Sequence, residues 1–299
     1  MLDALQAKLD QFTDPDNQLI AAAYLYRYKR KSGYDKLVTL LQHSNGHAAS
    51  ILAANKDLPS LPVILERLPE MSDDHDLILS LGKWMNSGIS AALLKEFIRK
   101  TNNSDLALAL ALQGNMDAIP IMKMNYDAAP DDYIRQQYAL AFIRLKVKDS
   151  QNLFEKEIKP HLIASDPVCL SILDDMRYLE LSHGISYSVS IVEQFIRLPP
   201  VSQNAKIFTS YGLNSLVASV NLLTTLNYSR ARQLILAAMK KMYDINAYSY
   251  EDTMALIALR AGNSAQIIEK YSGENVVYTE IKIQALSLNS LPKSITGKN

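Results

Sequence analysis

Short apolar runs cut by recurrent breaks constrain this chain more than any other feature in it. Breaks near Gly33, Asp57, Gly88, Asn115 and Asp149 stand about 24 to 34 residues apart. Between them apolar residues recur at helical spacing, and Gly, Asn, Asp and Pro supply the punctuation. A helix that short is not stable alone in water, so each must bury its apolar stripe against neighbours close in sequence. The expected fold class is therefore all-α, built from stacked helix pairs.

The stretch 110–158 shows the unit most fully. Gly114-Asn115 closes one helix, because glycine tolerates the left-handed conformation at a helix C-terminus. Asp117 is placed to cap the next, and Pro120 falls in its first turn, where a missing N–H does little harm. Ile119, Met122 and Met124 supply apolar mass to this short helix. A turn over 127–132 contains Pro130, and Asp131 or Asp132 can cap a second helix. Its stripe is Ile134, Tyr138, Ala141 and Leu145.

The runs G-N-M-D-A-I-P-I-M and D-D-Y-I-R-Q-Q-Y-A-L-A resemble the HEAT-like repeat pattern G-[DN]-x-x-A-[IV]-P-x-[LM] followed by D-x-x-[VI]-R-x-x-A-A-x-A-L. Arg135 occupies the usual arginine position, and Tyr138 replaces a small residue. The clear match covers about one and a half repeats. This resemblance implies a right-handed α-solenoid, with 1–299 as one continuous helical-repeat domain. The repeats are clearest over 15–165 and degenerate over 166–290, before a tail at 291–299. It also implies that the second helix of each pair faces inward, which would put Tyr133, Arg135 and Gln136 near the concave side. The family shares a shape rather than an activity.

In chain order, helices are expected over 1–12, 17–31, 34–42, 48–55, 63–68, 77–85, 89–99 and 105–113, ahead of the pair just described. Ser32-Gly33 reads as a helix end, and 69–76 as a polar connector. Beyond Pro160 the pattern decays. Asp166-Pro167 opens a helix to about Leu181, Gly184 breaks the chain, and 187–197 is helical again. Pro199-Pro200 interrupts firmly. Further helices are expected over 203–209, 213–226, 229–243, 250–260, 265–271 and 274–289.

The 31 basic residues balance the 31 acidic ones, which argues against a wholly basic surface of the kind that coats nucleic acid. The one cysteine, Cys169, excludes an intramolecular disulfide and a cysteine zinc cluster. Its neighbours Val168, Leu170, Ile172 and Leu173 mark it as a buried thiol. MLDALQAKLD lacks an apolar h-region, and no stretch reaches the length of a membrane span. A cytoplasmic location is the simplest expectation.

The strongest surface feature is Tyr24, Tyr26, Arg27, Tyr28, Lys29, Arg30 and Lys31, extended by Tyr34 and Lys36. Aromatics interleaved with cations suit a single-stranded nucleic-acid groove or an acidic peptide site. They equally suit a helix whose last turn carries dipole-favoured cations and whose tyrosines pack on the next repeat, and this second reading is preferred. Helical spacing puts Tyr24 and Tyr28 on one face and Tyr26 and Arg30 on another. Trp84 is either a concave-surface anchor or core, with core preferred. His43 and His47 are four apart, but Asn45-Gly46 between them signals a turn, so no metal site is expected. His75 among Asp73, Asp74 and Asp76 reads as a solvated helix start. Asp131-Asp132 and Asp174-Asp175 begin or decorate helices, and capping and dipole compensation account for them. No phosphate loop, nucleophile elbow or dinucleotide fingerprint occurs.

These observations favour a non-enzymatic scaffold that binds another protein, without cofactor, through Tyr24, Arg27, Tyr28, Lys31, Trp84, Tyr133, Arg135 and Gln136. The alternative is a DNA-binding HEAT-like protein of the alkylated-base glycosylase type. A chromophore lyase of the HEAT-like type has little residue support.

Overall fold

Asparagine and aspartate set the helix starts. In the computed structural model, which describes residues 2–100, 102–198 and 210–244, every regular element is helical. After α1 (Leu2–Lys8) and a 3-10 turn, Asp14 caps α2 (Pro15–Arg27). After α3 (Lys31–Gln42), Asn45 caps α4 (Gly46–Ala54). Asp57 caps a 3-10 turn leading into α5 (Leu61–Met71), Asp74 caps α6 (His75–Gly82) and Asn86 caps α7 (Ser87–Arg99). Asn103 caps α8 (Ser104–Leu112), and Asn115 caps the turn before α9 (Ile119–Asp127). Each side-chain oxygen accepts a backbone N–H that the first helical turn leaves unbonded.

The described residues fall in two compact units, with the boundary between Ala128 and Ala129. It lies inside the stretch that carries the HEAT-like resemblance, so α9 belongs to the first unit and α10 (Asp132–Arg144) to the second. In the first unit α2 packs on α3, and α4 touches α2, α3, α5 and α6. In turn α6 packs on α8, while α5 packs on α3 and α7. Helices thus meet both their immediate and next-but-one neighbours. Leu25, Leu37, Leu41, Leu52, Ile64, Leu77, Leu81 and Phe97 fill the spaces between them. The alternating Ala-Leu run of α8 is buried from Leu106 to Leu112, as befits a helix apolar on every face.

The second unit continues with α11 (Ser150–Leu153), a π-helical turn (Phe154–Ile158), α12 (Cys169–Tyr178), α13 (Gly184–Ile196), α14 (Ser210–Thr225) and α15 (Ala231–Asp244). Here α12 packs on α10 and α14, and α13 on α14 and α15. Phe195, Val192, Leu216, Val220, Leu223, Leu234 and Ile235 form its core.

Several expected boundaries move. Ser32-Gly33 does not end a helix. The chain turns at Lys29, which is left-handed (φ 58°), and Gly33 lies in the first turn of α3. It is glycine because α2 crosses there: a Cβ would stand 2.6 Å from the Ala22 carbonyl oxygen and would also strike the Tyr26 backbone nitrogen. Gly184 likewise begins α13 rather than breaking the chain, and it presses against Leu222 and Met176. The α5 helix runs through Pro69 to Met71, because a proline in the last turn forfeits little helical bonding. Asn115, not Asp117, is the cap, its Oδ1 accepting from the Asp117 N–H at 3.1 Å. Met124 is exposed while Met122 is buried. The helix expected from Asp166-Pro167 starts at Cys169 instead. The Pro199-Pro200 step and the expectations for 203–209, 250–260, 265–271, 274–289 and 291–299 lie outside the described residues.

Candidate protein-docking surface

The aromatic and cationic run divides as its spacing requires. Tyr24 and Tyr28 pair on one side of α2 with ring centroids 4.9 Å apart, and Tyr26 turns instead to Tyr34 at 6.0 Å. The Tyr28 hydroxyl, then burial, raises the Tyr24 phenol above its usual range. Most of the cations are engaged. Arg30 pairs with Asp3 at 3.0 Å, Lys31 with Asp35 at 2.6 Å, and Lys36 with Asp10 at 3.3 Å. Arg27 is half-buried at the end of α2. A phosphate arriving here must compete with those carboxylates.

Trp84 is 6% exposed and belongs to the core. Tyr133 is exposed, and its hydroxyl accepts from Gln137 Nε2 at 3.0 Å. Gln137 also donates to the buried Asp175 at 3.2 Å, so that acid does more than decorate its helix. Arg135 pairs with Asp132 at 2.7 Å. Gln136 is 2% exposed and presents almost no surface. The structure therefore gathers Tyr24 with Tyr28 at the end of α2, and holds Tyr133 and Arg135 to separate partners, Gln137 and Asp132, at the start of α10. It puts Trp84 and Gln136 inside.

His43 and His47 are separated by the turn their sequence announces. His47 approaches Asp74 at 3.5 Å, and His75 meets Asp105 at 3.0 Å. Among the described residues no group of three His, Cys, Asp or Glu side chains is placed to hold a metal ion. No described helix is long and apolar enough to cross a membrane.

A surface that the candidate residues miss lies on the first unit, starting at Met85, the residue after Trp84. It is a groove of about 500 Å³ between the outer face of α7 and the turns flanking α6 and α8, lined by Met85, Ser87, Ser90, Ala91, Leu94 and Asp117 among others. Its floor is pinned. Gln113, one residue past α8, extends Nε2 to the carbonyls of Leu81, Gly82 and Trp84 at 3.0, 3.0 and 2.9 Å. The Asn115 amide donates to Ser90 Oγ at 2.9 Å. Met85 in the lining is 66% exposed, and Met116, beside the lining residues Asn115 and Asp117, is 55% exposed. Trp84-Met85 is the sequence signal for this surface: the tryptophan is buried, and the methionine after it carries the surface.

No family model matches this chain, and neither a curated protein nor a solved structure does.

Proposed function

We propose that this protein is a non-enzymatic adaptor of HEAT-like repeats, arranged as a solenoid, which holds another protein on an open groove. The carrying observation is the α7 groove, with exposed Met85 and Met116 beside a floor held by Gln113 and Asn115. Unbranched methionines adapt to a partner's contours, and a rigid floor limits the ordering cost of binding. The packing of next-but-one helices in the first unit supports the repeat reading. The nucleic-acid alternative has less support, since Arg30, Lys31 and Lys36 are already held by carboxylates.

The test is a photo-crosslinking amino acid at Ala91 in the groove and, separately, at Lys56 away from it, in the full chain in its native extract. A discrete adduct from position 91 and none from position 56 is the expected result. Equal labelling from both, or none from either, removes the proposal. Fluorescent single-stranded DNA titrated in parallel at about 150 mM salt should bind no tighter than about 10 µM, within the nonspecific range.

A further inference from the structure

The second unit carries a cleft that the adaptor reading leaves unused, bounded by two helix closures. On one side α10 ends at Arg144, and Lys146 takes the left-handed conformation at φ 54° while the Val147 N–H returns to the Phe142 carbonyl. On the other side α12 ends in the same way. Glu180 is left-handed at φ 55°, and the Leu181 N–H returns to Met176 before α13 begins. Between them lies a hollow of about 330 Å³, bordered by Arg144, Lys146, Ser150, Glu180, Ser182 and His183. Gln151, Ser182 and His183 also line a second hollow of about 740 Å³ beside it.

The two ends differ in chemistry. The first has a cationic excess: among the described residues neither Arg144 nor Lys146 forms an ion pair, whereas Arg135, earlier in α10, and Arg177 of α12 face Asp132 and Asp174. Glu180 is the one acid among its described lining residues. Glu155, in the second lining, is held by Lys159 at 2.6 Å. The second end is aromatic and apolar. Phe154, in the first position of the π-helical turn, stands 5.2 Å from the His183 ring and 6.0 Å from Tyr187. Tyr228, Ile185 and Val189 complete that wall.

We infer that this cleft binds an extended segment of a partner protein in which acidic side chains lie a few residues from aromatic or large aliphatic ones. The acids meet Arg144 and Lys146, and the apolar residues lie along Tyr187, backed by the buried Phe154 ring, and Tyr228. Unpaired guanidinium and ammonium groups gain charge-assisted hydrogen bonds from carboxylates, and the aromatic wall removes apolar area from water. Charge complementarity at one end and apolar contact at the other set which part of the segment meets which part of the cleft. The inference rests on the protein-binding reading above and adds a second contact surface with its own ligand chemistry.

The probe is a fluorescent hexapeptide pool, (Asp/Glu)-(Asp/Glu)-Gly-Gly-(Phe/Leu)-(Phe/Leu), titrated into the full chain and followed by anisotropy. Two control pools replace the acids by lysine or the apolar pair by serine. The first pool should bind, and each control should bind at least about tenfold more weakly, the scale of one lost charge-assisted contact. R144E/K146E should lose the acidic pool and gain the lysine pool, a swap that unfolding cannot produce. Y187S should weaken the acidic pool with little effect on the serine pool. No binding of the first pool, equal binding of the serine pool, or absence of the charge swap each overturns the inference. Crosslinking at Ala91 reports on the other unit, so a failure here that leaves that adduct intact removes this cleft alone.

Discussion

At the scale of single residues, the turns show how much work one side chain can do. Asn45, Asp57 and Asn115 each follow a left-handed residue, namely Ser44, Lys56 and Gly114. Their backbone N–H groups return to Leu40, Leu52 and Leu110, closing the preceding helix, while their side chains cap the following element. Gly33 works through space instead. Gly33→Ala should lower stability by about 2–3 kcal/mol, read as a shift in urea midpoint, because backbone rather than a movable side chain blocks the new methyl. Cys169 gives a second prediction. Burial pushes its thiol up from 9.0 to about 11, against a weaker opposing hydrogen bond with Ser215. The unfolded thiol ionises first, so its contribution is complete below pH 9 and falls by about 1.4 kcal/mol per pH unit above that, until about 11. Urea midpoints of the wild type minus those of Cys169→Ala should therefore be constant from pH 7 to 8.5 and shrink by pH 10. An unchanged difference would show that the thiol is not sequestered.

Between elements, the informative contacts are polar struts joining successive helix pairs. Ser72, just past α5, donates to Glu96 of α7 at 2.8 Å. Arg99 Nε reaches the same carboxylate at 3.0 and 3.1 Å, and Arg99 Nη2 reaches the Pro69 carbonyl at 3.0 Å. Burial pushes the Glu96 carboxyl up, but the hydrogen bonds from Arg99 and Ser72, with the charges of Arg99 and Lys100, outweigh it and hold it below the ordinary range. A depressed folded value stabilises above the unfolded one and is lost as the pH falls through it. Glu96→Gln should cost about 1–3 kcal/mol at pH 7, and the gap to the wild type should narrow on acidification below about pH 4.5. A gap independent of pH would mean that Glu96 acts by shape alone.

For the whole molecule, the division at Ala128 and Ala129 makes local loss of stability the expected behaviour. Phe195 is fully buried in the core of the second unit. Phe195→Ala should cost that unit about 3–5 kcal/mol. Hydrogen exchange should then accelerate across 184–198 and 212–239 while 37–112 keeps its protection. Equal acceleration in both segments would show that the two units unfold as one. Formal neutrality acts at the same scale: with 31 charges of each sign, long-range steering is weak and local patches decide what binds.

Helical class, most helix positions, the buried Cys169 and an aspartate cap for α10 at 131 or 132 were legible in the chain. They depend on interactions within a few residues, which periodicity and cap chemistry report directly. The split of Tyr24 and Tyr28 from Tyr26 was legible for the same reason. Gly33 and Gly184 were misread because glycine marks a helix end and a close crossing with the same letter, and only the neighbouring helix distinguishes them. The groove floored by Gln113 and the cleft at Arg144 and Lys146 join residues about 30 to 40 positions apart. Local propensity carries no term for such encounters, so the sequence by itself determined the helices and their ends, and the packing of helix on helix decided which side chains share a surface.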